Sequence, residues 1–223
     1  PVDRNDFSTL LCFHGGGLQN GGKGGDMESA IARRFAGDGI AVAVVNYRLS
    51  PKAVFPAYID DAAASFAWVF RYIEEHGGDR SNIFVSGHSA GGYLTAMIAM
   101  DPQYLSRHGL DVNSIRGLIP VSGQMITHST VRNERGIAKT MPIIDAAAPS
   151  FHARKTTPPF LNIFGNNDLA ARAEENTYFV AVMKAAGHEH VEYVEFEGRN
   201  HSTIANRLPE KDDPVALAIL KFI

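Results

Sequence analysis

A serine between glycines is the first feature of the sequence whose residue types suggest chemistry. The segment GHSAG at residues 87–91 fits the pattern G-x-S-x-G. This pattern occurs where a strand turns sharply into a helix, because the turn exposes the serine hydroxyl and leaves room only for small flanking residues. The apolar run before the segment predicts a strand, and the residues after it predict a helix. We therefore interpret Ser89 as a nucleophile; the alternative is a glycine-rich helix start packed against a sheet.

A second glycine-rich segment, HGGG at residues 14–17, also follows a predicted strand. Consecutive glycines let backbone N–H groups point into a site with no side chain in the way. Together with the N–H of Ala90, such donors would hold the negative oxygen of a tetrahedral intermediate. The alternative is a flexible glycine loop, since four more glycines follow by residue 25.

A serine hydroxyl needs a base to become a good nucleophile, and nine histidines compete for this role. His201 lies just after a predicted strand at 191–196, in a loop from which a base can reach Ser89. Asp168 follows the predicted strand at 160–165 and is the candidate that orients the base. The order Ser89, Asp168, His201 is found in hydrolytic triads. Asp145 is the rival carboxylate, although it follows no clear strand, and Asp168 could instead cap a helix or turn.

The other histidines have plainer interpretations. On a sharp turn the ring of His88 should point away from the site. His14 should brace its own loop, and His188 and His190 should form a solvated turn rather than a metal pair. His128 and His152 lie in an irregular region and could line a pocket.

Short β-branched runs alternate with helical stretches, which is typical of a parallel sheet covered by helices. We predict strands at 9–13, 40–46, 82–86, 116–121, 160–165 and 191–196, and helices at 27–38, 58–76, 91–100, 173–186 and 214–223. The nearly continuous apolar run at 40–46 predicts a strand buried on both faces. Residues 122–157 are irregular and predict a small excursion above the sheet, within a single domain over 1–223.

Composition excludes several classes of protein. The 223 residues include 21 Lys and Arg, 24 Asp and Glu, and one cysteine, with a net charge of −3. This balance does not indicate a nucleic-acid partner, and a single cysteine cannot form an intrachain disulfide. No apolar run reaches the roughly 18 residues of a membrane span. We expect no metal or organic cofactor.

Four segments together resemble the hormone-sensitive-lipase-like carboxylesterases of the α/β-hydrolase fold. They are HGGG at 14–17, YRLSP at 47–51 leading to FPA at 55–57, Asp61 with Trp68, and GHSAGG at 87–92. The histidine at position 88, the small excursion and the segment from 150 to the Asp168 loop resemble more closely the branch of kynurenine formamidases, feruloyl esterases and acetylxylan esterases.

The resemblance implies a three-layer α/β-hydrolase with a mostly parallel sheet of about six strands. It implies the following site residues: Ser89, Asp168 and His201 as the triad, and the N–H groups of Gly16, Gly17 and Ala90 as the oxyanion hole. It also implies that Arg48 and Asp61 pin loops beneath the site.

The predicted function is a serine carboxylesterase that acts on short-chain acyl or small aryl esters through an acyl-enzyme. Short chains are expected because only about 35 residues, 122–157, are free to build a lid. The alternatives are an arylformamidase or amidase with the same triad, a feruloyl or acetylxylan esterase, and a peptidase of the prolyl-oligopeptidase kind. A non-catalytic binding protein on the same fold is a further alternative, but such proteins typically lose the nucleophile or the base.

The start of the chain departs from the family pattern. Only about eight residues precede the first strand, whereas relatives usually carry a strand hairpin and cap helices there. We therefore expect the first hairpin to be missing and the strand at 9–13 to be an exposed edge. Either Pro1 is not the natural start, or the chain is an unusually reduced hydrolase. The expected partner is a small ester substrate, the expected compartment is the cytoplasm, and a homodimer through the late strand and helix is left open.

Overall fold

The computed structural model describes residues 5–223 and contains a six-stranded sheet with helices on both faces. The strand order is β2-β1-β3-β4-β5-β6 and every neighbouring pair is parallel. This confirms the predicted α/β class and all six predicted strands. The strands are β1 (Phe7–Phe13), β2 (Ala41–Val45), β3 (Gly78–His88), β4 (Gly117–Val121), β5 (Phe160–Asn167) and β6 (Val191–Asn200).

Eight α-helices lie among the described residues, and the five long ones match predicted helices. The helices are α1 (Asp26–Gly37), α2 (Ala57–Tyr72), α3 (Ala90–Met100), α4 (Gln103–Ser106), α5 (Ser129–Glu134), α6 (Arg172–Ala185), α7 (Thr203–Asn206) and α8 (Pro214–Phe222). The helix predicted at 58–76 changes to a 3₁₀ turn after Tyr72 and stops at Gly77, whose φ is +84°. The short helices α4, α5 and α7 were not predicted, because four to six residues give too little periodicity to recognise.

Two hydrophobic clusters hold the helices on the sheet, because successive side chains of a strand point to opposite faces. In β1, Leu11 packs in the cluster formed with α2, α3 and α6, whereas its neighbour Leu10 packs in the cluster formed with α1, α7 and α8. Both leucines are essentially inaccessible to solvent. Among residues 5–223, no helix combines the length and the apolar character that crossing a bilayer requires.

Strand β2 corrects two expectations. Its five residues are only half-buried, because β2 has one strand neighbour within the described part of the chain. The prediction that this run is buried on both faces was therefore wrong. The first strand was expected to be the exposed edge, but β1 lies between β2 and β3, so the edge is formed by β2.

Residues 122–157 form the excursion that the sequence predicted as irregular, and they pack on the elements below. They contain α5 and a 3₁₀ turn at Pro149–His152. The Tyr93 hydroxyl of α3 donates to the carbonyl of Ala147 at 2.8 Å, and the Ser150 hydroxyl donates to the carbonyl of Met125 at 2.7 Å. The first of these buried hydrogen bonds ties the excursion to α3, and the second joins two parts of the excursion to each other.

Candidate active site

Three of the predicted site residues follow the carboxyl ends of three parallel strands. Ser89 follows β3, Asp168 follows β5 and His201 follows β6. The carboxyl ends of parallel strands meet at one edge of the sheet, where ligands usually bind. The fold therefore brings together residues that are up to 112 positions apart in the chain.

The three side chains form a continuous hydrogen-bonded relay. His201 Nε2 lies 2.8 Å from Ser89 Oγ, and His201 Nδ1 lies 2.7 Å from Asp168 Oδ1. A carboxylate at Nδ1 fixes the tautomer with its proton on Nδ1, which leaves Nε2 free to accept the serine proton. The rival carboxylate Asp145 instead bonds to Thr127 and to Arg135.

The backbone around Ser89 explains the glycines beside it. Ser89 has φ +58° and ψ −114°, a strained conformation for a residue with a side chain. Its N–H donates to the carbonyl of Val121 at 2.9 Å. A Cβ on Gly91 would lie 2.0 Å from the carbonyl oxygen of Phe13, so only glycine fits where the turn enters α3. The strand–turn–helix context predicted from the motif is present.

Asp168 is ionised at neutral pH although its side chain is only 1% exposed. Burial by itself would raise the pKa of this carboxyl, but hydrogen bonds from His201, the Ser122 hydroxyl and the Leu169 N–H hold the pKa below its usual 3.8. The Ser122 hydroxyl lies 2.5 Å from Asp168 Oδ2. Ser122 was missed in the sequence, although its position directly after β4 was a signal that could have identified it.

His88 does not point away from the site, so that prediction was wrong. Its Nε2 lies 2.7 Å from the carbonyl oxygen of His201, and the two ring centroids are 4.7 Å apart. Burial, with a smaller contribution from His201, lowers the pKa of His88 to about 4. His88 is therefore neutral at pH 7 and acts as a donor that holds the backbone of His201.

The HGGG loop leaves the sheet beside Ser89, because Phe13 of β1 pairs with Gly87 of β3. A Cβ on Gly15 would lie 3.7 Å from Ser89 Cβ, which shows how closely the loop approaches Ser89. The His14 ring stacks on Tyr47 with centroids 4.2 Å apart, and its Nδ1 lies 2.7 Å from the carbonyl oxygen of Gly15. His14 thus braces its own loop, as the sequence suggested.

The loop geometry suits an oxyanion hole. Gly16 has φ +104°, and a Cβ there would lie 2.1 Å from the carbonyl oxygen of Asn20. The Thr130 hydroxyl donates to the carbonyl of Gly17 at 2.6 Å and fixes that peptide. Among residues 5–223, neither the Gly16 nor the Gly17 N–H donates to another backbone group. Ala90 is the first residue of α3, so its N–H has no partner within the helix.

Arg48 and Asp61 join two segments of the chain. The backbone N–H and the Nε of Arg48 each donate to Asp61 Oδ2 at 2.8 Å, and Arg48 Nη2 donates to Asp61 Oδ1 at 2.8 Å. This bidentate pair ties the segment after β2 to α2.

Three further histidines bind backbone groups, whereas His190 is exposed, as predicted for a solvated turn. His188 is buried, with its Nε2 3.0 Å from the carbonyl oxygen of Thr157, so the prediction of a solvated turn was wrong for this residue. His152 Nε2 lies 2.9 Å from the carbonyl oxygen of Ala146. His128 is buried and its Nδ1 accepts the N–H of Thr130, which caps α5.

His128 should make folding stability depend on pH. Burial, and then the nearby guanidinium groups of Arg172 and Arg132, lower its pKa from 6.5 to about 3. The folded protein favours the neutral ring. The contribution of this preference to the free energy of unfolding is therefore complete above pH 6.5 and is lost as the pH falls towards 3. The expected loss between pH 7 and pH 5 is about 2 kcal/mol.

Urea unfolding of wild type and His128→Asn at pH 7 and pH 5 measures this contribution. Asparagine keeps an oxygen that can cap α5 but does not titrate. For each protein, the free energy of unfolding at pH 5 is subtracted from that at pH 7. We expect this difference to be about 2 kcal/mol smaller in the variant. An equal pH dependence in both proteins would contradict a neutral, buried His128.

Comparisons with known proteins agree with this geometry. A family model described as alpha/beta hydrolase fold matches residues 10–205. Esterase LipC of Mycobacterium tuberculosis is 28% identical over 221 residues, which cover 89% of this chain and 55% of LipC. Carboxylesterase NlhH of the same organism is 42% identical over 100 residues, which cover 44% of this chain and 31% of NlhH. The chain therefore spans only about half the length of LipC.

A solved structure shows the same fold. The butyrate-bound form of a thermophilic esterase, Est2 of the planctomycete Thermogutta terrifontis, superposes with a TM-score of 0.81 at 24% identity. The match covers 100% of this chain and 85% of Est2. The form of that esterase phosphonylated by sarin gives the same TM-score and identity, with 88% of its chain covered.

Proposed function

The chain belongs to the alpha/beta hydrolase fold family, and from this premise we propose that it is a serine carboxylesterase. The observation that carries the proposal is the relay from Ser89 through His201 to Asp168, with both hydrogen bonds at 2.7–2.8 Å. The relatedness to LipC and NlhH, both named as esterases, supports it.

In the first half of the reaction, His201 Nε2 takes the proton of Ser89 as Oγ attacks the carbonyl carbon of the ester. The carbonyl oxygen becomes negative and accepts hydrogen bonds from the N–H groups of Gly16, Gly17 and Ala90. Donors placed in advance cost no reorganisation when the charge develops. The imidazolium then protonates the leaving alcohol, and the acyl group stays on Ser89.

In the second half, water takes the place of the alcohol. His201 removes its proton, the water oxygen attacks the acyl carbon, and the acid leaves as Ser89 recovers its proton. Asp168 stabilises the imidazolium in both halves, because its pKa is held below 3.8 and it stays negatively charged. His88 fixes the backbone of the base through its bond to the His201 carbonyl.

The proposed substrates are esters with short acyl chains. Two features support this. A hydrogen bond from Tyr93 fastens the excursion at 122–157 to α3, and Est2, which has the same fold, was solved with butyrate bound.

A series of p-nitrophenyl esters tests the acyl preference. We expect kcat/KM to be highest at about two to four acyl carbons and to fall about tenfold by octanoate, because a small pocket cannot bury the longer chain. The corresponding p-nitroanilides serve as a control for amide cleavage and should react more slowly. A maximum at long chains would contradict a small acyl pocket.

A further inference from the structure

A separate cleft lies beside the triad, between the start of α6 and the excursion at 122–157. Its volume is about 690 Å³, which is large enough for a small organic group. The walls are mostly apolar and the floor is polar. The wall residues include Ile126, Pro142, Ile144, Leu169 and Tyr178.

Two buried arginines form the floor with few of their donors used. Arg132 is 3% exposed and Arg172 is 8% exposed. Arg132 Nη1 donates to the carbonyl of Met141, and Arg172 Nη1 donates to the carbonyl of Ser122 at 2.5 Å. The Nε of each guanidinium is buried without a hydrogen-bond partner among the described residues. A buried charge is costly unless it is paired and hydrogen-bonded.

The two guanidinium groups have no hydrogen-bonded carboxylate partner. Among the described residues that line the cleft, the nearest carboxylate is the half-buried Glu175, whose Oε2 lies 3.9 Å from Arg172 Nε. Its other oxygen accepts a 3.4 Å hydrogen bond from Gln124. The charge of Asp168 also acts on Arg172, but its oxygens pair with His201, the Ser122 hydroxyl and the Leu169 N–H. Among the described residues, therefore, no carboxylate forms a hydrogen bond with either guanidinium group. A bound anion would accept hydrogen bonds from their unused donors.

The cleft is continuous with the elements that carry the triad and the oxyanion loop. Leu169 of its wall directly follows Asp168, and Ser129 of its wall directly precedes Thr130, which bonds to Gly17. The cleft thus shares one segment with the triad and one with the support of the oxyanion loop, which is why we connect it with a substituent of an ester held at Ser89.

We propose that this cleft is an anion subsite, in which Arg132 and Arg172 bind a carboxylate carried by the ester substrate. This inference rests on the proposed function and names its substrate class: esters with a free carboxylate on the acyl part or on the alcohol part. Planar guanidinium groups match carboxylates with two hydrogen bonds, and the apolar walls cover the connecting carbon chain.

Matched substrates distinguish the two positions of the carboxylate. On the acyl side, mono-p-nitrophenyl glutarate is compared with p-nitrophenyl pentanoate. On the alcohol side, 4-carboxyphenyl butyrate is compared with 4-carbamoylphenyl butyrate. In one of the two pairs, we expect wild-type kcat/KM to be at least about tenfold higher for the anionic ester, mainly through KM.

Arg132→Gln removes one of the two charges without touching the hydrogen bonds of Asp168. We expect the preference for the anionic ester to fall about tenfold in this variant. Arg116→Gln is the control. It makes the same charge change just before β4, at the amino ends of the strands and away from the cleft, and should keep the wild-type preference for the anionic ester. The deciding quantity is the ratio of kcat/KM for the anionic ester to kcat/KM for the neutral ester. A ratio near one for wild type in both pairs would overturn the subsite. An equal ratio in Arg132→Gln and wild type would also overturn it.

Binding of glutarate gives a readout that does not depend on turnover. We expect glutarate, but not glutaramide, to raise the melting temperature of wild type, and this shift to be lost in Arg132→Gln. If no ester of the panel is hydrolysed yet glutarate binds through Arg132, the proposed function fails and the anion site stands. If neutral esters are hydrolysed and glutarate has no effect on stability, the anion site fails alone.

Discussion

Ser89→Ala is expected to lower kcat for p-nitrophenyl butyrate by about six orders of magnitude. Removing the nucleophile of a Ser-His-Asp relay costs about this much, because the whole relay acts as a unit. The remaining rate should still exceed that of the reaction in water by about a thousandfold, since substrate binding and the oxyanion donors are kept. Steady-state kinetics with freshly purified variant measures the loss.

A matched serine gives the control for this variant. Ser114 ends a 3₁₀ turn at Val112–Ser114, just before the amino end of β4 and far from the carboxyl edge that carries Ser89. Ser114→Ala should keep the wild-type rate. Hydrolysis by Ser89→Ala at more than about one hundredth of the wild-type rate would mean that another group attacks the ester.

Asp168→Asn is expected to lower kcat by about 10⁴-fold at neutral pH. An asparagine can present an N–H to His201 Nδ1, which places the imidazole proton on Nε2 and prevents it from accepting the Ser89 proton. It also removes the negative charge that stabilises the imidazolium. The measurement is kcat against pH for wild type and variant.

Asp145→Asn is the control, because Asp145 is the other carboxylate that the sequence left open as an orienting group. In the structure it bonds to Thr127, the Ala147 N–H and Arg135 within the excursion. We expect this variant to keep kcat within about tenfold of wild type. A loss as large as that of Asp168→Asn would show that the orienting carboxylate has been assigned to the wrong residue.

The sequence predicted the relay because each member follows a strand of strong β character. Ser89, Asp168 and His201 could each be placed at the carboxyl edge of a parallel sheet, and their geometry then follows from the fold. The role of β2 could not be predicted in this way. An apolar run does not reveal whether a strand has one neighbour or two, and β2 has one within residues 5–223.

Contacts between distant segments explain what the sequence did not reveal. The bond from Ser122 to Asp168 spans 46 residues, and the bond from His88 to the backbone of His201 spans 113. Arg132 and Arg172 lie on α5 and α6, and neither belongs to a recognisable motif. Only packing of the excursion against α6 brings their guanidinium groups to the floor of one cleft.

The central claim is that Ser89 is an activated nucleophile, and covalent labelling tests it most directly. Wild type is treated with a fluorophosphonate, digested and analysed by mass spectrometry. We predict one adduct per chain, on Ser89, formed at least about a hundredfold more slowly in Asp168→Asn because the base is misoriented. No adduct on wild type, or an adduct on another residue that persists in Ser89→Ala, would contradict the claim.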